Sequence, residues 1–178
     1  CHKNKTDEWA SAIIKTNYGE KRADHFSTHL LAGKNGDKSA LAHLISDTKY
    51  PEIARATALS YYSSYPLTEN DISQIIHYLN DSSALVRNEA IKTLEILGGN
   101  SFAQYLQPLL LDDIRLVRIS ASRALNSQTN EYSEELEMNA DFASGQYHIA
   151  VNHEINGRFE LAQSAYEKSL RIDNYFNT

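Results

Sequence analysis

Apolar residues recur every three or four positions along much of this 178-residue chain. That spacing places side chains on one face of an α-helix, whereas a half-buried strand would alternate apolar and polar residues. The stripes with this spacing contain Leu41, Leu44 and Ile45; Ile72, Ile75, Ile76 and Leu79; and Phe102, Tyr105, Leu106, Leu109 and Leu110. Glycines such as Gly33, Gly36 and Gly157 fall between the stripes, where they favour helix ends and turns. We therefore predict an all-α fold.

Two segments of the chain are near-copies of each other. The stretch "DSSALVRNEAIKTL" from Asp81 superposes without a gap on "DDIRLVRISASRAL" from Asp112. The matching residues, each pair 31 positions apart, are Val86 and Val117, Arg87 and Arg118, Ala90 and Ala121, and Leu94 and Leu125. A weaker copy, "PEIARATALSYY", contains Arg55 and Ala58. Since each copy follows its own apolar helix, we predict three helix pairs, over roughly 37–64, 68–97 and 101–126. Such pairs cannot bury their apolar faces alone, so they are expected to stack into a solenoid.

The spacing Asp-x4-Val-Arg-x2-Ala-x3-Leu resembles the HEAT repeat, in the short form shared with phycobilisome lyases. The match covers residues 37–126 and is most specific in the second and third repeats. It implies a right-handed α-solenoid of three short helix pairs, in which the second helices line a concave face. On that face, the resemblance implies partner contacts at Asn88, Lys92, Ser120 and Ser122.

The stretch "SGQYHIAVNHEINGRFELAQSAYEKSLRID" resembles one tetratricopeptide repeat, a helical hairpin. The residues that carry the match are Ile149, Ala150, Gly157 at the turn, Ala162, Tyr166 and Ser169. The resemblance implies a tetratricopeptide domain over 143–178, joined to the solenoid by a connecting helix within 127–142. The first helix of such a hairpin lines the groove, which implies partner contacts at Ser144, Tyr147 and Val151.

The first residues, Cys1 and His2, match the end of a c-type haem attachment motif, in which the last cysteine is followed by the histidine that ligates iron. Together with the later repeats, this order resembles the C-terminal part of a bacterial family of multihaem c-type cytochromes. The resemblance implies that residues 1–36 are the end of a haem motif with linking helices, and that the parent protein is periplasmic or secreted. In that parent Cys1 would carry the thioether and His2 would be an axial ligand. We expect no haem in the sequence as it stands, because the first cysteine of the motif is missing.

His25 and His29 are four positions apart on a predicted helix, so both rings would lie on one face. This spacing suits a metal ion or a second axial haem ligand, and His25 is the better candidate for haem in the parent. The alternative, which we favour, is that both are ordinary surface histidines. We assign no metal site, and His43 has no partner in the sequence.

The recurring arginines Arg55, Arg87 and Arg118 allow two interpretations. They could form a basic stripe that binds carboxylates or haem propionates. They could instead form a structural ladder, each pairing with an aspartate at a helix start, such as Asp81 or Asp112. We favour the ladder, because aspartate and arginine recur with the same period.

Composition and motifs exclude several function classes. A net charge of −6 argues against a nucleic-acid surface, and no apolar run is long enough to span a membrane. The single cysteine excludes an internal disulfide framework and a cysteine-rich zinc site. We found no catalytic triad pattern and no phosphate-binding glycine loop.

We therefore predict a non-enzymatic helical-repeat scaffold that binds partner proteins, within a larger multihaem cytochrome that transfers electrons. One alternative is that the first helices form part of the haem shell and take part directly in electron transfer. Another is a bilin lyase-like enzyme, suggested only by the repeat type. The last helix and tail expose apolar residues, which predicts either further hairpins or self-association through this end face: Leu170, Ile172, Tyr175 and Phe176.

Overall fold

A computed structural model describes residues 3–20 and 24–175, and these residues form eleven α-helices and no β-strand. The all-α prediction is confirmed. The chain divides into two compact units, the first ending at Tyr62 and the second beginning at Ser63. Cys1, His2 and Phe176 lie outside the described residues.

The first unit contains α1 (Asp7–Tyr18), α2 (Phe26–Lys34), α3 (Lys38–Ser46) and nearly all of α4 (Glu52–Ser63). The second unit contains α5 (Glu69–Tyr78), α6 (Ala84–Ile96), α7 (Ala103–Leu106), α8 (Arg115–Ala124), α9 (Asn130–Met138), α10 (Ala143–Ile155) and α11 (Phe159–Ile172). The expected connecting helix corresponds to α9, and the expected C-terminal hairpin corresponds to α10 and α11.

Polar side chains fix several helix starts. Thr68 and Asp71 form a capping box at the start of α5, in which each side chain bonds the other residue's backbone N–H. Asp37 accepts a hydrogen bond from the N–H of Ala40 at the start of α3. These caps satisfy N–H groups that have no partner within the helix.

The first helix of the third repeat is not continuous. Around α7 lie two 3₁₀ segments, Gly99–Phe102 and Gln107–Leu111. Pro108 is at the start of the second segment and has no backbone N–H, so it cannot continue an α-helical hydrogen-bond ladder. The apolar residues of this segment still face the core: Leu106 is completely buried and Leu109 is only 9% exposed.

In the first unit, α2 packs on α3 at a point of very close approach. Gly33 lies within α2, and a Cβ atom there would overlap the side chain of Leu41. Gly33 is the second-last residue of α2, so it lies at a helix end, one of the two places that the sequence favours. The turn is made by Gly36, whose φ of 111° is one that side chains rarely allow.

In the second unit, α6 packs directly against α8. The repeated residues Val86, Ala90, Val117 and Ala121 are all completely buried. Small alanines at equivalent places keep the two helices close, as the repeat predicts. The right-handed solenoid over 37–126 and the domain boundaries remain predictions.

Arg87 joins consecutive repeats. Its Nε and Nη2 atoms donate to the two carboxylate oxygens of Asp112, each at 2.8 Å, and its Nη1 donates to the carbonyl of Asp81 at 2.8 Å. Asp112 also accepts a hydrogen bond from the N–H of Ile114 at the head of α8. One carboxylate therefore both fixes the start of α8 and binds the guanidinium of the preceding hairpin.

Arg118 repeats this arrangement one unit further along. It makes a two-point contact with Glu131 of α9, at 2.8 and 2.6 Å, and donates to the carbonyl of Asp112 at 2.6 Å. Arg55 is 4% exposed, and its Nε donates to the carbonyl of Ile45. All three arginines are engaged inside the fold. Arg87 pairs with an aspartate at a helix start, as the ladder interpretation expects, whereas Arg118 pairs with Glu131 of the following helix and Arg55 donates to a carbonyl.

The C-terminal hairpin turns at Gly157, which has a φ of 70°. Ala150 and Ser169 are completely buried, and the hydroxyl of Ser169 donates to the carbonyl of Ala143 at 2.7 Å. Gly145 allows α10 to approach α9 closely, because a Cβ atom there would overlap the carbonyl group of Asn139.

Gly145→Ala is expected to lower the free energy of unfolding by about 1–3 kcal/mol, since the added methyl group forces α9 and α10 apart. Helix propensity alone predicts the opposite sign, a gain of about 1 kcal/mol. The neighbouring exposed Ser144→Ala is the matched control and should change stability by less than about 0.5 kcal/mol. Urea unfolding measures both, and a stabilised Gly145→Ala variant would contradict the packing described.

The contact between Arg87 and Asp112 should make the free energy of unfolding depend on pH. Burial alone would raise the pKa of Asp112, but hydrogen bonds from Arg87 and the Ile114 N–H, with the charge of Arg87, lower it overall. The stabilisation is therefore complete above the unfolded value of about 4 and is lost as the pH falls through the lower folded value. Urea unfolding of the wild type and of Asp112→Asn at pH 7 and pH 3 measures this effect. The difference in their free energies of unfolding should be smaller at pH 3 than at pH 7. An equal difference at both pH values would count against the contact.

Candidate functional site

A groove of about 400 Å³ lies in the second unit between α6, the end of α8, α9 and α10. Its lining residues are Lys92, Glu95, Ile96, Arg123, Asn126, Tyr132, Tyr147, His148, Val151, Asn152 and Ile155. Ile96 and Ile155 are 82% and 56% exposed, so the groove has apolar lips that contact solvent.

Three of the predicted contact residues meet in this groove. Lys92 was predicted from the HEAT-like repeat, whereas Tyr147 and Val151 were predicted from the tetratricopeptide resemblance. Tyr147 and Val151 lie one helical turn apart on α10, and Tyr147 packs against Tyr166 of α11 with ring centroids 5.8 Å apart. Contacts predicted for the HEAT-like repeat and for the tetratricopeptide hairpin thus line the same groove.

Two other predicted contacts are internal. Ser120 is 3% exposed and donates a hydrogen bond of 2.6 Å to the Oδ1 of Asn88, which ties α8 to α6. Ser122 is completely buried, and its hydroxyl contacts the carbonyl of Ser127 and the hydroxyl of Thr129. Neither serine presents its hydroxyl to solvent, so we correct their assignment from partner contacts to structural residues. Asn88 is half-buried, with its carbonyl oxygen engaged by Ser120.

Ser144 is exposed but does not line the groove. It lies beside a smaller cleft of about 180 Å³ formed by residues of α8, α9 and α10. Its role as a partner contact stays a prediction.

Two ion pairs make the charged part of the groove. Arg123 contacts both carboxylate oxygens of Glu95, at 2.8 to 3.1 Å. Burial alone would lower the pKa of Arg123, but the hydrogen bonds and charge of Glu95 raise it overall, so the guanidinium keeps its charge. Lys92 contacts Glu89 at 3.0 Å while 45% of its side chain is exposed. The Glu89 side chain is only 14% exposed, so Lys92 is expected to stay paired with it; the ammonium group has three donors and can bind a further carboxylate at the same time.

Tyr132 and Asn152 form a buried polar part of the wall, 5% and 6% exposed. Burial raises the pKa of Tyr132, and the charge of Arg123 and the nearby Asn152 amide only reduce that rise. Asn152 Oδ1 accepts from Arg158, but its Nδ2 has no partner at hydrogen-bonding geometry in the part of the chain the structure describes.

His148 also lines the groove, and it is exposed as a residue. Partial burial of its ring, followed by the charge of Arg123, lowers its pKa. The ring is therefore neutral at pH 7 and adds no cation to the groove.

His25 and His29, which share a predicted helix face, have different contacts in the structure. His25 caps α2, because its Nδ1 accepts a hydrogen bond from the N–H of Ser27 at 3.2 Å. The Nε2 of His29 contacts Asp24 Oδ2 at 3.0 Å and the Tyr50 hydroxyl at 3.1 Å. His43 of α3 stacks near His29 with ring centroids 5.0 Å apart. The histidine that lies beside the ring of His29 is therefore His43 on the neighbouring helix.

Asp24 and Tyr50 are strongly linked. The Tyr50 hydroxyl donates to Asp24 Oδ2 at 2.5 Å. This hydrogen bond, and then that from His29, lower the pKa of Asp24, while the same contact with Asp24 and burial raise the pKa of Tyr50 to about 12. At neutral pH the carboxylate is ionised and the phenol keeps its proton.

Cys1 and His2 are outside the described residues, so the structure leaves their predicted haem roles, and that of His25, as predictions. Leu170, Ile172 and Tyr175 are exposed, at 49%, 44% and 85%. Self-association through these residues also stays a prediction. No helix among residues 3–20 and 24–175 is long and apolar enough to cross a membrane.

Comparison of the chain with known proteins found no match. No protein-family model matches the chain, and neither the curated proteins nor the solved structures gave a match.

Proposed function

We propose that this chain is a non-enzymatic helical-repeat scaffold whose groove between α6 and α10 binds a peptide segment of a partner protein. The observation that carries the proposal is the meeting of Lys92, Tyr147 and Val151 in one groove. These residues come from two different repeat types, and each was selected from the sequence as a contact.

The chemistry of the groove favours a peptide with a large apolar side chain. Ile96 and Ile155 offer apolar surface that water contacts in the free protein, and Val151 also lines the groove. Burying such surface is the main favourable term in peptide association. Lys92 at the rim can bind a carboxylate of the peptide, while Arg123 is held by Glu95 and remains structural.

The proposed setting of the scaffold is the multihaem cytochrome family that the sequence resembles. In that setting the repeats dock the cytochrome to its partner in the periplasm or outside the cell, and electron transfer belongs to the haem domains. Haem c is a cofactor of the parent in this proposal, bound through Cys1 and His2.

A random peptide library displayed on phage and selected on the chain tests the groove. Selected peptides, labelled with fluorescein, should bind with dissociation constants below about 100 μM by fluorescence anisotropy. Val151→Glu should weaken them at least about tenfold, because it places an unpaired carboxylate against the apolar side chain of the peptide.

Leu161→Glu is the matched control. Leu161 is 53% exposed on α11 and does not line the groove, so this variant should bind within about twofold of the wild type. Circular dichroism melting checks that both variants are folded. A selection that yields no binding peptide, or peptides weakened equally by both variants, would overturn the proposal.

A further inference from the structure

Asp24, His29 and His43 converge on one point of the first unit. One ligand atom from each, a carboxylate oxygen or an imidazole nitrogen, lies within 4.8 Å of the other two. Within this cluster, His29 Nε2 and Asp24 Oδ2 are 3.0 Å apart. Ligand atoms on a tetrahedral zinc ion are separated by roughly 3.3 Å, so only small side-chain rotations would complete the geometry.

The fold holds these residues together. Asp24 directly precedes α2, His29 lies on α2, and His43 lies on α3. The close approach of α2 and α3 at Gly33 and Leu41 brings the two helices into contact. Two of the ligands therefore come from packed helices, which fix their separation better than a loop would.

Tyr50 supplies the outer contact that metal-binding carboxylates usually have. Its hydroxyl donates to Asp24 Oδ2 and so fixes the direction of the carboxylate. The side chain of His29 is 17% exposed, whereas that of Asp24 is 59% exposed, so an ion can enter from the side of Asp24.

We propose that Asp24, His29 and His43 form a binding site for a divalent transition-metal ion, with Zn²⁺ the best match. Two imidazoles and one carboxylate are a donor set that zinc accepts, and a water molecule completes four-coordination. On binding, the ion replaces the hydrogen bond between His29 and Asp24, while the Tyr50 hydroxyl remains bonded to the carboxylate. Ca²⁺ and Mg²⁺ prefer all-oxygen sites and should bind poorly.

Zinc titration of the chain by isothermal calorimetry is the test. Cys1 and His2 can themselves bind zinc, so the titration uses the chain with Cys1→Ser and His2→Ala. The site should bind one equivalent of Zn²⁺ with a dissociation constant below about 10 μM. Co²⁺ should give the intense visible absorption bands of a tetrahedral site. Weaker binding, or a stoichiometry other than one, overturns the proposal.

Variants locate the ion. His43→Ala removes a ligand and should weaken binding at least about 100-fold, and Tyr50→Phe removes only the outer hydrogen bond and should weaken it about tenfold. His77→Ala is the matched control, since His77 is exposed on α5 and belongs to the second unit. If His43→Ala binds zinc as well as His77→Ala does, the proposed site is overturned. Far-ultraviolet circular dichroism confirms that each variant is folded.

Discussion

The guanidinium of Arg87 binds a carboxylate that belongs to the following hairpin, and the packing of the second unit depends on this link. The side chains of Asp112 and Arg87 are 8% and 14% exposed, so neither charge is well solvated. Partly buried charges are stable only when they are paired and hydrogen-bonded. The two-point contact meets this condition, because it can form only when α8 lies beside α6 in one register.

The same constraint extends to the groove. Arg118 repeats the contact with Glu131 and holds α9 beside α8, while Arg123 and Glu95 connect α8 back to α6. Gly145 then lets α10 approach α9. The positions of all the helices that line the groove therefore follow from a chain of short polar contacts and one close backbone approach. The groove that we propose as the peptide site is therefore preformed, which would lower the entropic cost of binding.

Except for the interrupted segment around α7, the sequence was sufficient for the helices, and it also predicted the contact between α6 and α8. These features follow from local apolar spacing and from a repeated set of small residues. It was insufficient where a residue's partner lies on another element. Ser120 and Ser122 occur at repeat positions that suit a surface, yet Ser120 bonds Asn88 on α6, and Ser122 bonds the carbonyl of Ser127 in the loop after α8. His29 was compared with His25 on its own helix, whereas its actual neighbour is His43, 14 positions away on the next helix. Gly33 was expected at a helix end or a turn, and only the packed structure reveals that the side chain of Leu41 lies against it.

The most direct test of this account is a double-mutant cycle between Arg87 and Asp112, measured by urea unfolding at pH 7. Arg87→Met keeps most of the side-chain volume, and Asp112→Asn keeps a side-chain oxygen that can still accept from the Ile114 N–H. The account predicts a coupling free energy of about 1–3 kcal/mol. The exposed pair Arg115 and Glu134, 3.6 Å apart, should give less than about 0.5 kcal/mol. A coupling between Arg87 and Asp112 as small as that of the exposed pair would contradict the claim that this link joins the repeats.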